Sequence, residues 1–202
     1  FFVNGFKVGV AQAGTIFEFP LWMRFGFLAL TLFIALFGSL FAAYLVLKPG
    51  TAGGPGPKEI FDLPYVFGET MLLLLSSFAC GLALLSAYAK KKRATIFWLV
   101  VTGVLGLAFL AMEIHEFSAL LHEGYSWTRS GFLSGYFGLV GTHGLHITIG
   151  LLWLVSSVVY LLHKPMTPRF LQRLTLFAMF WHFLDIVWIC IFTIVYLFGV
   201  AL

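Results

Sequence analysis

Charge is what this sequence has least of. Of its 202 residues only 10% are charged, where a soluble domain of this size carries about a quarter. That scarcity excludes a water-soluble globule, because there is too little polar surface to cover one. Cysteine is nearly absent as well. Cys80 and Cys190 both sit inside apolar runs, with no paired spacing of the kind that holds a metal or haem c, so no disulfide framework is indicated. Each is expected to act as a small buried hydrophobe. Long polar connectors are also missing. The longest is about 16 residues, too short to build a core outside a membrane. The chain opens on Phe1 instead of Met, which predicts that part of the natural start precedes it.

What is present is apolar length. Hydrophobic residues make up 61% of the chain and its mean hydropathy is +1.01. A helix needs about 20 apolar residues to cross a bilayer, and five stretches qualify: 21–47, 64–89, 95–121, 131–162 and 171–201. The stretch Phe25 to Leu47 is uncharged and too long for the apolar core of a signal peptide. These continuous runs differ from the short alternating segments of a membrane β-barrel. The predicted fold class is therefore all-α: a polytopic membrane protein built as a five-transmembrane-helix bundle. Residues 1–20 form an amino-terminal cytoplasmic segment and residues 21–202 the membrane domain. The run Pro49 to Pro57, rich in Gly and Pro, predicts a surface loop.

Orientation follows from Lys and Arg. Lys7, Arg24, Lys90, Lys91, Lys92, Arg93, Lys164, Arg169 and Arg173 fall on one side, and Lys48, Lys58 and Arg129 on the other. The amino terminus is expected to be cytoplasmic and the carboxyl terminus periplasmic. Topology explains the basic clusters adequately, so no nucleic-acid partner is indicated.

Ionisable residues within spans are costly and usually face the bundle interior. Here they are Glu69, Glu113, His115, Glu116, His143, His146, His182 and Asp185. Residues three apart share a helix face, which pairs Glu113 with Glu116, His143 with His146, and His182 with Asp185. Three readings are open. The groups could ligate metal or haem, with His143 or His146 opposite His182; they could form a proton pathway; or they could join helices as a buried polar network. The run Glu113–Glu116 lacks the Glu-x-x-His spacing of di-iron bundles, and no repeated halves with broken helices mark a transporter. The network reading needs least. On helix 4, Gly131, Gly135, Gly138, Gly141 and Gly144 form a small-residue stripe, which predicts close approach of another backbone. Trp22, Tyr125 and Trp127 fit an interfacial aromatic belt.

Several longer motifs occur in order. They are Met112–Glu116 (Met-Glu-Ile-His-Glu), Gly141–His146 (Gly-Thr-His-Gly-Leu-His) and Trp181–Trp188 (Trp-His-Phe-Leu-Asp-Ile-Val-Trp). Two more precede them: Gly50–Pro55 (Gly-Thr-Ala-Gly-Gly-Pro) and Lys58–Pro64, with Glu69 and Thr70 close behind. Over about residues 48–202 the chain resembles subunit III of the haem–copper respiratory oxidases, most closely the five-helix form found in bo-type ubiquinol oxidases. Helix 1 departs: where the family usually has an early Ser-Asp or Ser-Glu pair, Leu21 to Ala35 contains Arg24 and no acid.

The resemblance implies a non-catalytic structural subunit of a proton-pumping terminal oxidase, which takes electrons from ubiquinol and reduces oxygen to water. It implies a bacterial inner-membrane location, with oxidase subunits I, II and IV as partners and with haems and copper held in subunit I. It also implies a cleft that binds phospholipid. No catalytic, cofactor-binding or metal-ligating residue is expected in this chain. Glu69, Glu113, Glu116, His143, His146, His182 and Asp185 are expected to form the buried polar cluster or lipid cleft, with Glu69 near its outer rim. The alternatives are subunit III of a cytochrome c oxidase and an autonomous membrane haem carrier.

Overall fold

The computed structural model describes residues 21–51 and 63–201, with side chains over 28–51 and 63–200. The amino-terminal segment 1–20, most of the Gly/Pro-rich loop and the side chains of Trp22 and Arg24 lie outside the described residues, as do Lys7 and Lys58. The described residues form five long helices and no strand: α1 Leu21–Leu47, α2 Leu63–Tyr88, α3 Lys92–His122, α4 Gly131–His163 and α5 Pro168–Ile191. The last helix continues through a π-helical stretch, Phe192–Leu197, into a final turn, Phe198–Ala201. All five are long and apolar enough to cross a membrane. The chain divides into two compact units, Phe1–Gly38 and Ser39–Leu202. The first contains the described part of α1 up to Gly38; the second holds the end of α1 and the other four helices.

Local chemistry sets the helix ends. Ser130 caps α4 by accepting the Leu133 N–H at 3.2 Å. Thr167 caps α5 by accepting the Phe170 N–H at 3.2 Å, and Pro168 occupies its first turn, where a missing N–H costs nothing. Thus α5 begins at Pro168 instead of residue 171, and α3 at Lys92 instead of 95. Hydropathy marks the greasy middle of a span, while the polar first turn belongs to the helix all the same. At the end of α3 the chain reverses through Gly124, whose φ of +80° lies in the left-handed region that favours glycine.

Helices α2 and α4 each pack against both α3 and α5, closing a four-helix ring. The end of α1 is fastened to it. Gly50 O accepts the Phe132 N–H at 3.2 Å, and Lys48 Nζ donates to the Phe198 carbonyl at 3.3 Å. A Cβ at Gly135 would lie 3.3 Å from the Tyr44 Cα, so here the glycine stripe does let two backbones approach. Elsewhere the stripe behaves differently. Gly138 faces open space, and a Cβ at Gly144 would meet the carboxyl group of Glu113, not a backbone. Cys80 is buried as expected, but Cys190 is exposed on the outside of the bundle, because its helical position turns it away from the neighbours of α5.

Candidate functional site

Helix α5 carries two tryptophans seven residues apart, and the interior is organised around them. Trp181 and Trp188 are both fully buried. The indole N–H of Trp181 donates to Ser76 Oγ on α2 at 3.1 Å, and Ser76 in turn donates to the Thr102 carbonyl on α3 at 3.0 Å. The ring lies against two glycines: a Cβ would come within 2.9 Å of it at Gly106 on α3 and within 2.8 Å at Gly150 on α4. Four helices therefore meet on one side chain.

Two turns along, Trp188 donates to Thr70 Oγ1 at 3.1 Å, and Thr70 donates to its own helix at Val66 O. The Trp188 ring packs edge-on to Phe109 at 4.7 Å and stacks on His143 at 5.3 Å with an interplanar angle of 29°. As one helix ascends the other descends, so Trp181 pairs with Ser76 and Trp188 with Thr70, as antiparallel neighbours require.

Near Trp188 lies a group of carboxylates. Glu69 of α2 is 0% exposed and Glu113 of α3 is 2% exposed. Glu113 and Glu116 are close enough to Glu69 to interact with it electrostatically. Neither Glu69 oxygen has a hydrogen-bond partner among the described residues, nor does Glu113 Oε2. Gly144 makes room for Glu113, since a Cβ there would sit 2.6 Å from Oε1. Tyr196 donates to Glu116 Oε2 at 3.1 Å, which leaves Tyr136 as the donor in the 3.0 Å contact between the two phenols. A directed chain, Tyr136 to Tyr196 to Glu116, thus joins α4, α5 and α3.

The remaining residues singled out from sequence fall elsewhere. His146 is half-buried, and its Nδ1–H donates to Thr142 O in its own helix at 2.6 Å. His115 is exposed, with its ring 6.2 Å from that of Tyr65. His182 and Asp185 are half-buried at the α2–α5 seam. Ser77 Oγ lies 2.6 Å from His182 Nδ1. This pair borders an open groove of about 430 Å³ lined by Ser77, Phe78, Gly81, Leu82, Leu85 and His182. Six of the seven residues therefore form two groups, and His146 bonds within α4. Glu69, expected from sequence near the outer rim of a lipid cleft, is enclosed within this chain, as is Glu113.

Sequence reasoning passed over Ser76, Thr70, Tyr136, Tyr196 and the two tryptophans as polar participants. One signal was available. Trp181 and Trp188 share a face at seven-residue spacing, and a buried indole N–H usually needs a partner. Among the described residues no group of three or more His, Cys, Asp or Glu is placed to hold a metal ion.

The arrangement defines a multi-pass membrane protein in which buried side-chain hydrogen bonds join neighbouring helices at several points. The profile of the cytochrome c oxidase subunit III family matches residues 5–200, and the chain belongs to that family. It is 51% identical over 165 residues to the cytochrome bo(3) ubiquinol oxidase subunit 3 of Pseudomonas putida, spanning 82% of this chain and 80% of that protein. The quinol oxidase subunit 3 of Bacillus subtilis is 43% identical over 168 residues, 83% of this chain and 82% of its own length. The cytochrome c oxidase subunit 3 of Bacillus sp. (strain PS3) is 41% identical over 166 residues, 82% and 80% respectively.

Proposed function

We propose that this chain is the third subunit of a proton-pumping terminal ubiquinol oxidase in a bacterial inner membrane. It stands beside the haem- and copper-bearing subunit I, together with subunits II and IV, with its amino terminus in the cytoplasm and its carboxyl terminus in the periplasm. Its role is structural: it supports the core subunit and holds phospholipid in a cleft between helices, while electron transfer runs elsewhere in the complex. The observation that carries this reading is the likeness to a ubiquinol oxidase subunit 3 over four-fifths of both chains. The polar residues of the interior fit it. Ser76, Thr70 and Tyr196 are engaged in bonds between helices, and His143 is held between Phe109 and Trp188.

Isolation of the native complex through an affinity tag on this chain tests the reading. Ubiquinol-dependent oxygen consumption in the eluate, with the haem spectrum following subunit I when the two are separated, is the expected result. A Soret band that stays with this chain would instead identify a haem carrier. The likeness to the subunit of strain PS3 favours a second reading, a cytochrome c oxidase. A two-copper centre in the co-purified subunit II would establish it.

A further inference from the structure

The Ser77–His182 pair stands at a depth where a bilayer supplies nothing to bond with. Ser77 lies near the midpoint of α2, and His182 near that of the span Pro168–Val200. Ser77 Oγ is 2.6 Å from His182 Nδ1. The other ring nitrogen, Nε2, makes no hydrogen bond among the described residues and is not enclosed. Asp185, one turn on from His182 and on the same face of α5, lies beside the Ser77 hydroxyl.

A serine hydroxyl carries one proton, and a neutral histidine can place its own on either nitrogen. With the Ser77 proton directed to Asp185, the short contact requires His182 Nδ1–H as its donor, and Nε2 is left as a bare acceptor. His182 lines the groove of about 430 Å³ that runs along α2. That volume lies within the roughly 300–1,000 Å³ of small-molecule sites. Gly81 and Leu85 follow Ser77 at one and two turns along α2 and line the same groove. A Cβ at Gly81 would meet nothing within 4 Å, so a flat ring can approach the backbone there. The groove thus offers an acceptor at one end and hydrocarbon along its length.

We propose that this groove binds a quinol, with a ring hydroxyl donating to His182 Nε2 and the isoprenoid tail running past Gly81 and Leu85. A bare acceptor selects a ligand with an O–H donor, and the depth selects one that dissolves in hydrocarbon. A phospholipid meets neither demand, since its hydrogen-bonding groups lie about 15 Å away at the edge of the hydrocarbon. Binding alone is involved and no electron moves, so the groove holds the reductant apart from the place of its oxidation. The choice of a quinol rests on the ubiquinol oxidase reading. The demand for an O–H donor at mid-depth rests on Ser77, His182 and Asp185 alone.

The test uses the whole complex, reduced beforehand and kept under argon, with ubiquinol bearing a photoreactive diazirine on its tail. Peptides cross-linked on illumination are identified by mass spectrometry. In the native complex the label should fall on α2 between Phe78 and Leu85. The dimethyl ether of the same quinol, which has no O–H, should label that segment about three- to tenfold less, the range of one hydrogen bond. His182→Phe should lower quinol labelling by a similar factor while leaving the ether unaffected. Gly81→Leu, which fills the groove, should reduce both to background. Gly138→Leu, at an equally open position on α4, should change either by less than about twofold. Equal labelling by quinol and ether, an unlabelled α2 segment, or full labelling in His182→Phe would overturn the proposal. So would stronger labelling of the segment by a photoreactive phosphatidylcholine at equal concentration, which would give the groove to ordinary lipid. Oxygen consumption with ubiquinol in air, measured on the same preparation, keeps the two readings apart. Its absence counts against the oxidase assignment, and its presence with an unlabelled segment counts against this site alone.

Discussion

The two serines Ser76 and Ser77 are adjacent in sequence and meet opposite fates. Ser76 faces the middle of the bundle, where it accepts from Trp181 and donates to the Thr102 carbonyl. Ser77 faces the α2–α5 seam, where it meets His182 at the edge of an open groove. A helix turns about 100° per residue, so one step moves a hydroxyl from a junction of three helices to a contact between two. The first region is closed by glycines cut to the shape of an indole ring. The second has a polar pair on its border and space beside it. Close packing belongs to the tryptophan-centred region, and open space to the seam.

Substitutions can break that comparison. The largest effect is expected from Trp181→Ala, which removes a ring seated against Gly106 and Gly150 and also leaves Ser76 without its donor. A loss of about 3–5 kcal/mol is expected from comparable deletions in packed cores. It would be measured as a fall in the thermal or denaturant midpoint of the detergent-solubilised complex. A shift no larger than that of a surface variant would show that Trp181 does not organise the interior.

Gly150→Ala and Gly138→Ala compare the same change at two points on one helix. A Cβ at Gly150 would lie 2.8 Å from the Trp181 ring, whereas one at Gly138 meets nothing within 4 Å. The first should destabilise by about 1–3 kcal/mol through overpacking. The second should be neutral or stabilise by up to about 1 kcal/mol, since alanine is the better helix former. Equal midpoints for the two variants would mean that the close approach of α4 to α5 is wrong.

Tyr196→Phe deletes the middle of the Tyr136–Tyr196–Glu116 chain and keeps the ring. Hydrogen bonds between membrane helices average about 0.6 kcal/mol. The loss should therefore be about 1 kcal/mol, and Tyr136→Phe combined with it should add less than its own separate effect, because both remove one chain. Strict additivity would show that the phenols act independently.

The smallest difference is expected between the serines themselves. Ser76→Ala should cost about 1 kcal/mol by orphaning a buried indole N–H. Ser77→Ala should cost about half that, because His182 lies at an open groove. Reversal of that order would undo the distinction between the two regions.

The five spans were legible because lipid imposes a simple demand. About 20 apolar residues in a row have few other uses, and the breaks between them are written in Gly, Pro, Lys and Arg. The inward turn of Glu113 and His143 was expected for the same reason, since charged or titratable groups in spans are costly against lipid, whereas Glu69 was expected near a rim. Their grouping was not. Spacing along one helix pairs His143 with His146, yet the first stacks on Trp188 and the second bonds to Thr142 in its own helix. The glycine stripe was legible as small residues on one face. What filled each gap was not, and it ranged from the backbone of Tyr44 to the carboxyl of Glu113 to nothing at all.

The amino-acid sequence by itself determined the solvent this protein requires, the five long apolar helices among the described residues, the places where the chain turns between them, and the oxidase family to which its motifs belong. Those properties follow from composition and from order along one dimension. Only the tertiary structure decided that Trp181 reads three neighbouring helices at once and that three carboxylates from two helices come within electrostatic reach of one another. It also decided that Ser77 and His182 meet at the edge of an open groove. Each of these depends on which helix stands opposite which and at what rotation, and helical periodicity fixes the face of a residue without fixing what that face meets.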